Sequence, residues 1–189
     1  MSCAARGDSR TGPRAHPARE GRLAMTVYLV RHAIAEERGP VWPDDNERPL
    51  TTRGIARMRE IALRLADRGV QVGHIWSSPL VRARQTADVL APLWTTARQI
   101  EIVNELAPGH APARVGKALM ERSARTTDTA VALVGHEPDL GLLTAWLIGA
   151  RSPLPFKKGG VARVDYDASI SAGTGTLTWL VTPKLVLEQ

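Results

Sequence analysis

The sequence predicts an α/β protein, a three-layer α/β/α sandwich around a mainly parallel central sheet. Two apolar stretches carry this prediction: residues 26–32 (TVYLVRH) and residues 130–136 (AVALVGH). A strand that is buried on both faces reads as a continuous apolar run of this kind. Helical patterns lie between the two stretches, and strands that alternate with helices form parallel sheets with helices on both faces.

The first half of the chain follows this alternation from the first strand. Residues 33–49, which contain prolines and five acidic residues, predict a surface loop. A helix follows, which Thr51 or Thr52 can cap and which Gly69 ends. Its apolar residues recur at helical spacing: Ile55, Met58, Ile61, Ala62 and Leu65.

The rest of the chain continues the alternation and then ends in a β pair joined by a turn. In order, we predict a strand over 72–77, a helix from Pro79 through Leu93, a strand over 100–106, a helix from about Pro112 to Arg122, the strand 130–136, a helix that opens at Pro138 and ends at Gly149, and paired strands over 160–166 and 174–181.

Composition fits a single domain of ordinary size, since the chain has 189 residues. Residues 1–24 carry five arginines against two acidic residues and show no apolar periodicity, so we expect a disordered basic extension before a domain over residues 25–189. The single cysteine excludes a disulfide framework. No apolar run approaches the ~20 residues of a membrane span, and no secretory signal is visible. We therefore expect a cytoplasmic protein with neither a membrane nor a nucleic acid as partner.

Four side chains are predicted to meet at the carboxyl edge of the sheet, where ligands of open α/β sheets bind. Arg31 and His32 follow the first strand, and His136 ends the later one. Arg82 lies about one turn into a helix, near the positive end that favours anions. Neutral imidazole is a nitrogen nucleophile, and guanidinium groups bind phosphate oxygens in a fork. The set predicts phosphoryl transfer, with no metal or other cofactor if the arginines supply the charge.

Five motifs occur in one order along the chain: LVRHA, RPLTTRG, SSPLVRARQTA, NELAPG and VGHEPDLG. Together they resemble the histidine phosphatase superfamily, and within it the SixA-type phosphohistidine phosphatases, over about residues 25–183. The resemblance implies a phosphoglycerate mutase-like fold, here without a large cap domain. It also implies that His32 is the transiently phosphorylated nucleophile and that Arg31, Arg82 and His136 complete the phosphate pocket. One departure is Ala33, where the wider family usually has glycine.

The proton donor is open among several carboxylates. Glu105 matches the position at which the mutase-like relatives place a glutamate acid. The loop acids are alternatives: Glu36, Glu37, Asp44 and Asp45. Lys157 and Lys158 are candidates for the rim of the pocket.

Three functions are compatible with these residues. The first is hydrolysis of phosphohistidine on proteins, because little chain is available after Glu105 to build a cap over the site. The second is hydrolysis of small phosphomonoesters by the same pocket. The third, a non-catalytic phosphate-binding protein, is disfavoured by the presence of both histidines and both arginines. The expected partners are phosphate and a phosphorylated protein or small phosphoester.

Overall fold

A six-stranded mixed sheet forms the centre of the computed structural model, which describes residues 25–95, 99–167 and 169–188. The strands are β1 (Met25–Arg31), β2 (His74–Ser77), β3 (Ile100–Ile102), β4 (Ala130–Gly135), β5 (Val161–Tyr166) and β6 (Thr176–Val181). Their order across the sheet is β3-β2-β4-β1-β5-β6. The first four strands are parallel, and β5 runs antiparallel to both β1 and β6. The predicted mainly parallel sheet is confirmed.

Helices cover both faces of the sheet and complete the predicted three layers. They are α1 (Thr52–Ala66), α2 (Val81–Trp94), α3 (Pro112–Ser123), α4 (Asp139–Ile148) and α5 (Pro183–Leu187). Successive side chains of a strand point to opposite faces. In β1, Tyr28 and Val30 therefore pack with α1, α2 and α5, whereas Val27 and Leu29 pack with α3 and α4.

Several predicted boundaries were wrong, because hydrogen bonds outside the sheet set them. The predicted strand 100–106 ends at Ile102, and Asn104–Leu106 form a 3-10 turn closed by the bond from the Leu106 N–H to the Val103 carbonyl. The strand predicted from residue 72 begins at His74, since the Val72 N–H bonds to the Trp94 carbonyl instead of to a neighbouring strand.

Helix ends and faces also differ from the prediction. Pro79 precedes the second helix, because Leu80 is still extended and forms its N-cap. Pro138 likewise caps α4 and lies outside it. Ile55 was predicted on the buried face of α1 but is 41% exposed. The short helix α5 was not predicted.

Thr51 caps α1 as predicted, through its hydroxyl and the Gly54 N–H. The extension predicted over residues 1–24 lies outside the residues that the structure describes. Within the described part of the chain, no helix has both the length and the apolarity needed to cross a membrane.

Candidate active site

The two histidines at strand ends lie side by side because β1 and β4 are parallel neighbours. Arg31 is aligned with Gly135 in this pair of strands. The His32 N–H donates to the Gly135 carbonyl at 3.0 Å, which extends the pairing by one residue. Both imidazoles are buried, and the centroids of the His32 and His136 rings are 5.1 Å apart.

The surroundings of His32 define its tautomer and its charge. Its Nδ1 lies 2.8 Å from the Ala33 carbonyl oxygen. A carbonyl oxygen can only accept, so Nδ1 carries the proton and Nε2 keeps its lone pair. Burial lowers the pKa of His32 to about 3; the Ala33 hydrogen bond opposes this shift, and Arg82, Arg31 and Arg48 reinforce it. The imidazole is therefore neutral at pH 7.

The half-buried Arg31 and the buried Arg82 bring two guanidinium groups to the same place. The Nη1 of Arg31 donates to the Phe156 carbonyl at 2.6 Å. The Nη1 of Arg82 donates to the Asp45 carbonyl at 2.6 Å, and its Nη2 lies 3.0 Å from the Asp45 carboxylate. The Nε atoms of both arginines are buried without a hydrogen-bond partner among the residues that the structure describes. Each arginine therefore retains an unused donor in a region where unpaired polar groups are costly.

His136 has one ring nitrogen occupied and one unpaired. Its Nε2 lies 2.8 Å from the Ser78 hydroxyl, and its Nδ1 is buried and has no partner in the described part of the chain. Burial lowers the pKa of His136 to about 3, and the proximity of His32, Arg82 and Arg31 acts in the same direction against a smaller opposing effect of Asp45. This imidazole is also neutral at pH 7.

A cavity of about 410 Å³ unites Arg31, His32, Arg82 and His136. Glu105 is not among its lining residues; it is half-buried in the 3-10 turn that precedes the cavity wall at Ala107 and Pro108. The other charged residues of the lining are Arg38, Asp45, Arg48, Glu137 and Lys158. With five basic and two acidic side chains, the cavity attracts anions.

Among the predicted alternative acids, Asp45 lines the cavity but is a poor proton donor. Its Oδ1 lies 2.8 Å from the Nε of Arg38 and 2.9 Å from the Nε of Arg48. Burial raises the pKa of this carboxyl, but Arg38, Arg48 and Arg82 outweigh burial and lower it to about 2. Asp44 is exposed and accepts from the Asn46 N–H at 2.9 Å, as the cap of the turn Asp45–Glu47.

Two functional candidates were missed from the sequence, although both stand inside the quoted motifs. Arg48 opens RPLTTRG; it is buried and donates to the Glu36 carbonyl at 2.6 Å. Glu137 follows His136 and accepts from the Phe156 N–H at 3.1 Å. Burial raises the pKa of Glu137, against the effects of its backbone hydrogen bonds and Arg31.

The predicted rim lysines are separated by the structure. Lys158 lines the cavity, whereas Lys157 is exposed and is not part of the lining. Their turn is fixed next to His32, because the Gly159 N–H bonds to the carbonyls of Arg31 and His32 at 3.2 and 3.1 Å. Gly159 has a φ of +76°, a conformation that favours glycine.

Comparison with known proteins identifies the family to which this chain belongs. The family model of the histidine phosphatase superfamily (branch 1) matches residues 27–111. The phosphohistidine phosphatase SixA of Escherichia coli is 30% identical over 161 residues, which cover 84% of this chain and 94% of that protein. This chain belongs to the histidine phosphatase superfamily.

Within the superfamily, the chain is similar to the SixA-type proteins. A solved structure of the protein histidine phosphatase SixA complexed with tungstate matches with a TM-score of 0.76 and 28% identity, covering 86% of this chain and 99% of that one. An uncharacterised protein of Picosynechococcus is 36% identical over 170 residues, covering 86% of this chain and 99% of the relative. The predicted phosphoglycerate mutase-like fold is confirmed.

Proposed function

We propose that this protein is a metal-independent phosphatase that hydrolyses phosphohistidine on proteins, with His32 as the nucleophile. The observation that carries the proposal is the state of the His32 ring. Its Nδ1–H is held by the Ala33 carbonyl, and its pKa of about 3 leaves Nε2 unprotonated at neutral pH. A neutral imidazole in this tautomer is ready to attack without prior loss of a proton.

In the first step, the Nε2 lone pair of His32 attacks the phosphorus of the substrate. A new N–P bond forms while the bond between phosphorus and the substrate imidazole breaks. The leaving imidazole takes the electron pair of that bond, and a proton on its other nitrogen lets it leave neutral. Arg31 and Arg82 bind the phosphoryl oxygens and stabilise their charge in the transition state.

In the second step, water attacks the phosphorus of phosphorylated His32. A new O–P bond forms while the N–P bond breaks, and Nε2 recovers the electron pair of that bond. Both protons of the water leave with the inorganic phosphate. We assign the unpartnered Nδ1 of His136 as a donor to a phosphoryl oxygen, in the tautomer whose Nε2 accepts from the Ser78 hydroxyl. Because the arginines and His136 supply the donors, the mechanism uses no metal ion.

A protein substrate is favoured by the path of the chain next to the site. After the turn Asn104–Leu106, the chain forms α3, whose residues Val115 and Leu119 pack in the core on one face of the sheet. The segment therefore packs against the sheet and builds no cap over the cavity. A phosphoryl group on a protein surface needs such an accessible site. The likeness to SixA, a phosphohistidine phosphatase, supports the same substrate.

The second candidate is a phosphatase for small phosphomonoesters. One observation favours it: the cavity volume of about 410 Å³ is within the roughly 300–1,000 Å³ typical of small-molecule sites. The two candidates share the same chemistry at His32 and differ in the group that leaves.

The test is a comparison of kcat/KM for a phosphohistidine-bearing protein and for a panel of small phosphomonoesters. The proposal expects the phosphoprotein to be the better substrate, with EDTA leaving the rate unchanged. A small monoester with the higher kcat/KM would select the second candidate. A requirement for an added metal ion would overturn the mechanism.

The role of His32 is tested by the variant His32→Ala. We expect it to lose turnover while it retains a cooperative thermal unfolding transition. Wild-type enzyme denatured during turnover should carry an acid-labile phosphate on His32. Normal turnover by His32→Ala would contradict the assignment.

A further inference from the structure

We infer that Asp45 is a positioning residue, which holds the Arg82 guanidinium so that its Nε side faces the phosphoryl group. This inference rests on the proposed binding of phosphoryl oxygens by Arg82. Without this role, the Asp45 carboxylate would only weaken the positive charge of an anion-binding cavity.

The contacts of Arg82 separate the two edges of its guanidinium. Asp45 occupies the terminal edge, with its carbonyl 2.6 Å from Nη1 and its carboxylate oxygen Oδ2 3.0 Å from Nη2. A guanidinium carries five N–H donors in a planar fork, and two of them face Asp45. Of the three that remain, the Nε–H and the neighbouring second hydrogen of Nη2 form one edge. The Nε of Arg82 is buried, and none of the described residues is its partner. The two N–H donors on this free edge can bind two oxygens of a phosphoryl group through parallel hydrogen bonds.

Asp45 can hold Arg82 because it is itself held from two other sides. Arg38 contacts both of its carboxylate oxygens, at 2.8 and 3.2 Å, and Arg48 contacts Oδ1 at 2.9 Å. Arg48 is in turn tied to the Glu36 carbonyl. The carboxylate stays ionised, with a pKa of about 2. The Arg82 side chain is only 4% exposed, so little else can reorient it.

A different role for Asp45 predicts the opposite effect of its removal on oxyanion binding. A carboxylate that only occupied the place of phosphate would compete with oxyanions, and its removal would tighten their binding. A positioning carboxylate leaves Arg82 misdirected when it is removed, and oxyanion binding then weakens in spite of the gain in net positive charge.

The experiment measures the dissociation constant of tungstate, a tetrahedral oxyanion, by calorimetry. We expect Asp45→Ala to weaken binding about 10- to 100-fold, the loss typical of one charge-assisted hydrogen bond. Asp45→Asn keeps an acceptor and should lose less. Asp44→Asn, the matched control, removes the same charge one residue earlier and keeps a capping side chain, so its binding should equal that of wild type.

A double-mutant cycle decides whether Asp45 acts through Arg82. If it does, Arg82→Ala and Arg82→Ala/Asp45→Ala should bind tungstate equally weakly. Three results would each overturn the inference. They are tighter tungstate binding by Asp45→Ala, a loss in the double variant that equals the product of the two single losses, and a loss in Asp44→Asn as large as that in Asp45→Ala. Wild-type affinity in Arg82→Ala would instead overturn the proposed role of Arg82. Melting temperatures identify unfolded variants, and Asp45→Asn carries the test if Asp45→Ala does not fold.

Discussion

Lys157 and Lys158 are adjacent, chemically identical residues, and only Lys158 lines the cavity. We expect Lys158→Ala to lower kcat/KM roughly two- to fivefold, since an exposed ion pair contributes up to about 1 kcal/mol. The loss should shrink at high salt, where exposed charges are screened. Lys157→Ala removes the same charge and should change kcat/KM much less. Steady-state kinetics at low and high salt measure both variants, and equal losses would assign the effect to net charge.

Glu105 is the residue at which the two candidate substrates give different predictions. Expulsion of an alkoxide needs a proton, for which a positioned acid supplies about 10²–10⁴-fold in rate. The imidazole of phosphohistidine is a good leaving group once its other nitrogen is protonated. If Glu105 is the acid, Glu105→Gln should therefore slow an alkyl phosphate far more than phosphohistidine, as rates on both substrates would show. Unchanged rates on both would mean that Glu105, which does not line the cavity, is not the donor.

At the scale of residues, the part of the cavity that is formed by side chains at strand ends could be predicted from the sequence. Arg31, His32 and His136 are placed by β1 and β4 themselves, so an apolar run followed by a motif located them. Asp45 could not be placed in this way. Its position depends on a contact with Arg82, which lies 37 residues away, and no local pattern specifies such a contact.

At the scale of elements, Thr86 connects α2 to the segment that carries His32. Its hydroxyl donates to the Arg82 carbonyl at 2.7 Å and accepts from the Ala33 N–H at 3.1 Å. Thr86→Val keeps the shape but leaves the buried Ala33 N–H unpaired. We expect the free energy of unfolding to fall by about 1–3 kcal/mol, and kcat to fall with it, because the Ala33 carbonyl orients His32. Urea denaturation and kinetics measure the two effects.

Thr144 in α4 is a matched control for Thr86. It is equally buried, and its hydroxyl donates to the Leu140 carbonyl at 2.7 Å, the same bond within a helix. Its hydroxyl has no second partner among the described residues. Thr144→Val should therefore cost less stability and leave kcat unchanged. Equal losses of stability and kcat in the two variants would show that the hydrogen bond between Thr86 and Ala33 contributes to neither.

The elements themselves could be predicted from the sequence better than their ends. Apolar runs and helical spacing located the strands and long helices of the described chain. The ends depend on hydrogen bonds outside the sheet: β3 is followed by the turn that the Leu106 N–H and the Val103 carbonyl close, and β2 starts late because the Val72 N–H bonds to the Trp94 carbonyl. Ile55 has helical spacing, but it borders a groove between α1 and α2 instead of the core.

At the scale of the whole molecule, the site forms only when distant segments meet. β1 and β4 pair although about 100 residues separate them, and α2 and the turn at Gly159 close the cavity from two further directions. The three layers could be predicted because alternating strands and helices permit few arrangements. The cavity volume and the charges around it could not, because they depend on the side chains of all these segments at once.

The burial of two neutral histidines makes the stability of the whole molecule depend on pH. Burial lowers the pKa of both His32 and His136 to about 3, whereas an unfolded histidine titrates near 6.5. Between these values the unfolded chain binds protons that the folded protein does not. The free energy of unfolding should therefore fall as the pH decreases, by about 2 kcal/mol per histidine between pH 7 and pH 5. The pKa of Asp45, about 2, lies below this window.

This dependence is measured by urea denaturation at pH 7 and pH 5. The proteins compared are the wild type and the variants His32→Gln and His136→Gln. Glutamine does not titrate, so each variant should lose about 2 kcal/mol less than the wild type on acidification. Histidines elsewhere in the chain contribute equally to all three proteins and cancel in the comparison. If the wild type and both variants lose the same stability, the two imidazoles accept protons in the folded state. Burial would then not be what keeps His32, the proposed nucleophile, neutral at pH 7.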